Sequence, residues 1–166
     1  MALTTDQSIL EDGVPGNSTQ MPEQPCTANT QFYRGTVATL RSGYLVEATA
    51  PASTDIVFGM IEDIGVSANL IVQGPGFLSP TGANGQISAK IKGGSFWLNC
   101  STGADAITQA NVQGLCYLYN ENTVAATSGG GTRPVAGIVN RLAPSDLSLP
   151  NAVSVHLGAS QPGPVS

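Results

Sequence analysis

A chain of 166 residues, with a formal net charge of −5 and only 10% charged residues, has room for one domain with a core plus an ordered arm. No window approaches about 18 uninterrupted apolar residues, which excludes a membrane-spanning helix and argues against a membrane partner. The six basic residues, Arg34, Arg41, Lys90, Lys92, Arg133 and Arg141, are too scattered to displace counterions from phosphate, which argues against nucleic acid. Charged residues are depleted at the buried centres of protein interfaces, so a surface this poor in charge is expected to be covered in part by other subunits.

Residues 1–33 read as an extended N-terminal arm. Gly13-Val14-Pro15-Gly16, Met21-Pro22 and Gln24-Pro25 interrupt any helical or strand period, and proline blocks both helix continuation and central sheet pairing. Its sparse apolar residues, Leu3, Ile9, Leu10, Val14 and Met21, are too few to order it alone, so it is expected to be ordered by what it lies against. The N-terminus shows neither the basic nor the apolar region of a secretory signal, so the chain is expected to be made in the cytoplasm.

From residue 34 to 159 the pattern is that of an all-β domain, a compact sandwich or barrel, and residues 160–166 read as a flexible tail. "FYRGTVATL" and "SGYLVEATA" alternate as strands joined through Arg41-Ser42-Gly43, and "DIVFGMIEDIG" and "ANLIVQGPGFL" follow as apolar runs. In "ISAKIKGG", Ile87, Ala89 and Ile91 alternate with Ser88, Lys90 and Lys92, the period of a half-buried strand with its cations facing water. "SFWLNC", "GLCYLYN", "NTVAAT", "VAGIV" and "AVSVHLG" complete the strand set, with "SGGGT" read as a flexible loop before "VAGIV". Turn signals at this spacing belong to sandwiches and barrels. The one helical candidate, residues 103–113, is as readily a single turn or an ordered loop.

A faint echo links "DIVFGMIEDI" to "RPVAGIVNRL", with Gly59 and Gly137 in register, each after a glycine-led strand, "GYLVEA" and "GLCYLY". Two related β halves account for it, and so does coincidence in a glycine-rich β chain.

The chemistry of catalysis is sparse. Alternation puts His156 beside Ser154 and opposite Val155 and Leu157, which suits a surface or interface histidine better than a general base. Glu62-Asp63 point to opposite faces of a strand, and "GPGFLSPTGANG" lacks the lysine and the following helix of a phosphate loop. Cys26, Cys100 and Cys116 form no CxxC pair and read as free thiols; with a single histidine they do not supply a zinc site. The sequence is therefore read as non-enzymatic, with no cofactor and no metal.

The stretch from Gly93 to Gly158 carries a longer pattern: "G-x-F-x-L-N", then "D-x-I-T-x-A-x-V-x-G", then "L-C-Y-L-Y-N-E-N-T-V-A", closing with "V-A-G-I-V" and "V-S-V-H-L". It resembles the C-terminal part of a family of tailed-bacteriophage head decoration, or cement, proteins; "GTVATLRSGYLVEA" and "IVFGMIED" look like that family's opening β elements. The resemblance covers residues 35 to 158, and "PSDLSLPN" looks longer than the family's usual turn. It implies a homotrimer on the outer surface of the virion, bound to the lattice of the major capsid protein and stabilising it. On a capsid, Leu3, Ile9, Leu10, Val14 and Met21 of the arm would be the docking side chains. The rival reading is a carbohydrate- or receptor-binding β module of a head fibre or tail accessory, which requires Trp97, Tyr117 and Tyr119 on an exposed face.

Overall fold

A computed structural model describes residues 6–7, 11, 18–65, 76–144 and 151–158. The protein is all-β, a closed barrel with further strands outside it. Everything is organised around β7 (Ser88–Cys100), in which "SAKIKGG" and "SFWLNC" are one continuous strand of 13 residues. Its first half pairs antiparallel with β1 (Ser18–Pro25) and β5 (Ile56–Ile64). Its second half pairs with β11 (Ala152–Leu157) and, in parallel, with β9 (Thr123–Ala125).

The barrel closes because both ends of one path return to β7. From β11 the order runs through β10 (Val135–Leu142), β8 (Leu115–Asn120) and β9, and β9 and β11 both pair with β7. Closure satisfies every strand edge in the ring. Phe96, Leu98, Cys116, Leu118, Val139 and Val155 fill its interior, each no more than 3% exposed. Outside it, β5 continues to β3 (Val37–Arg41) and β4 (Tyr44–Val46). Phe32, Leu45, Ile61, Phe77 and Ile91 form a second cluster there, in which the rings of Phe32 and Phe77 stack at 5.5 Å. Those two rings come from a small separate pair, β2 (Gln31–Phe32) and β6 (Phe77–Leu78). Of the expected run "ANLIVQGPGFL", only this last part lies within the described residues.

Burial along β7 changes phase. Ile87, Ala89 and Ile91 enter the second cluster, whereas Phe96 and Leu98 enter the barrel, with Gly93-Gly94 at the changeover. Strict alternation thus gives one face of the strand to one core and the other face to the other. The helical candidate resolves into two single 3-10 turns, Gly103–Asp105 and Gln109–Asn111, joined by an extended stretch.

The expected arm boundary at residues 33/34 is corrected. Ser18–Pro25 pairs with β7 from Ser18 opposite Gly94 to Pro25 opposite Ser88, with a register irregularity between Met21 and Gln24. Proline is barred from central strands but allowed at edges and bulges, and Pro22 and Pro25 sit in the irregularity and at the strand end. Cys26 is fully buried and Phe32 is 1% exposed, so residues 26–33 also belong to the domain. Further upstream, Gln7 N–H donates to the Arg34 carbonyl at 2.6 Å, Arg34 N–H donates to Asp6 Oδ1 at 2.8 Å, and the Arg34 guanidinium bridges Asp6 and Asp63. Glu11 forms an ion pair with Lys92 and bridges to Phe96. Leu3, Ile9, Leu10 and Val14 lie outside the described residues, as does the tail from 160.

Gly59 and Gly137, the matched glycines of the internal echo, share a physical role. A Cβ on Gly59 would lie 2.5 Å from the Lys92 carbonyl oxygen, and one on Gly137 would lie 2.0 Å from that of His156. Each lets a strand press against its neighbour's backbone.

Two predictions follow from this packing. Removing residues 1–17 deletes two partly exposed ion-pair anchors, worth about 0–1 kcal/mol each, and is expected to leave a cooperatively folding domain. Removing residues 1–30 strips β1 and Cys26 and is expected to abolish cooperative unfolding or to lower Tm by many degrees; equal thermal melts for the two truncations would overturn the placement of β1. Gly137→Ala is expected to cost at least the ~1–3 kcal/mol of overpacking. Gly130→Ala, where a Cβ meets nothing within 4 Å but φ is +73°, costs about 1 kcal/mol of backbone strain. Thermal denaturation of the pair decides, and identical Tm values would show that β10 does not approach β11 as described.

Candidate interaction surface

Alternation along the barrel strands sets one row of side chains inward and the next outward. On β8, Cys116 and Leu118 point in, so Leu115, Tyr117 and Tyr119 point out. On β10, Ala136 and Val139 point in, and Val135 and Ile138 point out. Strand register aligns the outward set: Leu115 opposes Ile138, Ile138 opposes His156, and His156 opposes Ser95, a row across four strands. Tyr117 opposes Val135, and Trp97 opposes Ser154, which in turn opposes Arg141. Leu115 and Tyr119 remain 42% and 46% exposed, while Trp97, Tyr117, Val135 and Ile138 are half-buried.

A polar seam lies at one side of this wall. The register of β10 on β11 shifts between Val139 and Arg141, leaving Asn140 as the extra residue of a bulge. Its Nδ2 donates to Ser95 Oγ at 2.8 Å and to Ser154 Oγ at 3.3 Å, and Ser95 Oγ is 3.0 Å from His156 Nδ1. Ser95 Oγ thus accepts from Asn140 and also shares a hydrogen bond with the His156 ring, its one proton and two lone pairs letting it meet both partners. Ser95 is only 2% exposed and Ser154 is fully buried, so this serine–histidine pair is a packed hydrogen-bond seam, with no hydroxyl open to a substrate. His156 falls on the face its alternation predicts.

Arginines cover two of the aromatic rings. The Arg133 guanidinium sits 4.6 Å from the centre of the Tyr119 ring, and that of Arg141 sits 5.2 Å from the Trp97 ring. Arg133 is also held by Asp105 at 2.9 Å and donates to the Thr127 carbonyl.

That anchoring corrects the flexible-loop reading of "SGGGT". Gly131, Thr132 and Arg133 all turn their N–H groups onto the Ser128 carbonyl, and Thr132 Oγ1 donates to the Gly129 carbonyl at 2.9 Å. Three successive glycines with positive φ allow the chain to curl around one acceptor, a signal that composition alone reads as looseness.

The cysteines are free thiols. Burial pushes Cys26 up to about 12 and Cys116 likewise to about 12, which keeps both protonated and inert. Cys100 Sγ accepts the Ile107 N–H at 3.0 Å and ties the first 3-10 turn region to β7. Among the described residues, no three or more His, Cys, Asp or Glu side chains converge on a metal position. A cavity lined by Tyr33, Thr36, Val37, Ala48, Glu47 and the buried Glu121 measures about 10 Å3, room for one water molecule.

Of the sequence-predicted docking residues, Met21 lies in β1, half-buried against the second core cluster, so its side chain is engaged within the domain. The outward wall, by contrast, was legible only as separate strands; the register that joins them is a tertiary property. Comparison with known proteins finds no matching family model, no matching curated protein and no matching solved structure.

Asp105 supplies a pH test of the wall's rim. Hydrogen bonding from Thr127, then from Arg133, holds its carboxyl below the ordinary value of 3.8 against a smaller opposing effect of desolvation. A lowered carboxylate pKa contributes stability above the ordinary carboxylate range and loses it as pH falls through the folded-state value. An NMR titration is expected to find the Asp105 midpoint under 3.8, and Thr127→Val is expected to raise it; a midpoint at or above 3.8 in the unaltered protein would refute the assignment.

Proposed function

We propose that this protein is a virion structural protein that decorates and stabilises a bacteriophage capsid, binding the outer surface of the major capsid protein lattice as a homotrimer. The observation that supports it best is the outward barrel wall, in which exposed Leu115 and Tyr119 and half-buried Trp97, Tyr117 and Ile138 make a coherent face in the same part of the chain that resembles phage head proteins. Trp, Tyr and Arg are the residues that dominate binding energy at protein interfaces. On this reading the protein acts without chemistry: by binding one lattice state it shifts the capsid toward that state, by an amount set by affinity and occupancy. Three footprints on one trimer multiply that effect through effective concentration. Leu3, Ile9, Leu10 and Val14 are retained as the docking residues of the segment that precedes β1.

The second reading, a carbohydrate- or receptor-binding module, draws on the same wall, since Trp97, Tyr117 and Tyr119 do face outward. Against it, Arg133 and Arg141 already occupy one face each of Tyr119 and Trp97, where a sugar ring would stack.

The two readings part in one experiment. Purified protein mixed with heads lacking it is expected to co-sediment to a saturating copy number and to raise the temperature at which the heads release DNA. Leu115→Lys with Tyr119→Lys is expected to weaken that binding at least tenfold, about 1.4 kcal/mol or more, without changing the fold. Binding to a glycan array with no saturable binding to heads would reverse the order of the two readings.

A further inference from the structure

The echo between "DIVFGMIEDI" and "RPVAGIVNRL" recurs in the hydrogen bonding, where β3, β4 and β5 pair with one another as β8, β9 and β10 do. Val37 opposes Met60 and Ala38 opposes Gly59; 78 positions on, Leu115 opposes Ile138 and Cys116 opposes Gly137. Both pairings then skip one residue, Phe58 in the first and Ala136 in the second. The irregularity that leaves Glu62 out of the β5–β7 register recurs at Asn140 between β10 and β11. Outside the strand pairs, Gly35 N–H donates to the Ile61 carbonyl and Ile61 N–H to the Thr36 carbonyl, as Gln113 N–H does to Val139 and Val139 N–H to Gly114. Cys26 lies parallel to Leu45 of β4, and Cys100 lies parallel to Val124 of β9. Even the pins correspond: Arg41 grips Asp55, and at the matching positions Arg133 lies over Tyr119. Bulges and skipped residues are set one by one, so coincidence in a glycine-rich chain does not reproduce them at a single spacing.

Matched positions have unlike surroundings. Val37, Val57 and Met60 are each no more than 2% exposed, and they join the barrel's cluster instead of the cluster of their own sheet. Val37 N–H donates to the Glu121 carbonyl, in the turn between β8 and β9, at 2.7 Å. A Cβ on Gly158, just after β11, would lie 3.3 Å from the Val57 carbonyl oxygen. The first unit thus seats this face on the second. The counterparts Leu115, Val135 and Ile138 stand on the outward wall, where Leu115 is 42% exposed and the other two are half-buried. None of the six side chains is charged.

We infer that the chain is one β unit used twice, and that the wall is the second unit's copy of an interface face, whose partner on the capsid lattice is an uncharged, apolar β surface. This inference rests on the capsid reading for where the partner lies and adds its chemistry. The same face is already an interface inside the molecule, held there by aliphatic packing and the Val37 hydrogen bond. Apolar groups kept at the same positions and left together at a surface mark an interaction site. Arg133 is bound by Asp105 and Tyr119 as the counterpart of an internal pin, so its charge is answered within the chain. Charges at the rim of an interface add little to its affinity, which leaves apolar burial to hold the contact.

The test is uptake of the full chain by heads lacking it, measured from about 0.05 M to about 0.5 M salt, a range over which ionic contacts are screened. The expected affinity changes by no more than about threefold across that range. Leu115→Ser, at an exposed position, is expected to weaken uptake at least tenfold while keeping the parent's Tm. Leu115→Val, which installs the residue of the first unit, is expected to recover most of that loss, and Arg141→Gln is expected to cost less than Leu115→Ser. Saturable uptake that falls tenfold or more with salt, or that suffers more from Arg141→Gln than from Leu115→Ser, would overturn this inference and leave decoration standing. Sedimentation velocity of the isolated chain adds a further arm: self-association that Leu115→Ser abolishes would give the wall to a second copy and overturn the lattice partner. Heads that take up no parent protein at any salt would overturn decoration and this inference together.

Discussion

One strand is asked to serve two cores at once. In β7, the residues before Gly93 bury their odd-numbered side chains in the outer cluster, and the residues after Gly94 bury even-numbered ones in the barrel. Because successive side chains in a strand point to opposite faces, neither core can slip by one residue without emptying both. That constraint fixes the register of β1, β5, β9 and β11, all of which hydrogen-bond to β7. The outward wall inherits its order from the same source: Ser95 and Trp97 face out because Phe96 and Leu98 face in.

The strand class was readable because it rests on local alternation. Ile87, Ala89 and Ile91 are buried, and Lys90 is exposed, as the period of two requires. Local signals also placed β5, β8, β10 and β11 and exposed the positions where glycine is pressed against a neighbour, Gly59 and Gly137. What local signals could not carry was pairing between distant segments. Pro22 and Pro25 argue against a central strand, and edge pairing with β7 is decided by residues some seventy positions away. The loop "SGGGT" failed for a related reason. Its order comes from Arg133 reaching Asp105 and Tyr119, partners outside the loop itself. The wall, likewise, exists only once Leu115, Ile138, His156 and Ser95 are brought into one row.

The polar seam shows how the fold reconciles burial with hydrogen bonding. A buried hydroxyl without a partner costs about 1–3 kcal/mol, and β7 and β11 each bring one, Ser95 and Ser154, beneath the wall. The bulge at Asn140 brings a two-donor amide within reach of both. An irregularity in one strand thereby satisfies two others, and the apolar residues beside it pack without an orphaned polar atom at Ser95.

The continuity of β7 also has a mechanical meaning. Tension applied across the molecule, from outer sheet to barrel, passes along the covalent backbone of a single strand instead of across a hinge between two modules. Flanked on both sides by hydrogen-bonded neighbours, that strand is loaded in shear, so many hydrogen bonds must yield together before it moves, whereas peeling an edge would break them one at a time. A molecule built around such a strand resists extension along that strand's own direction.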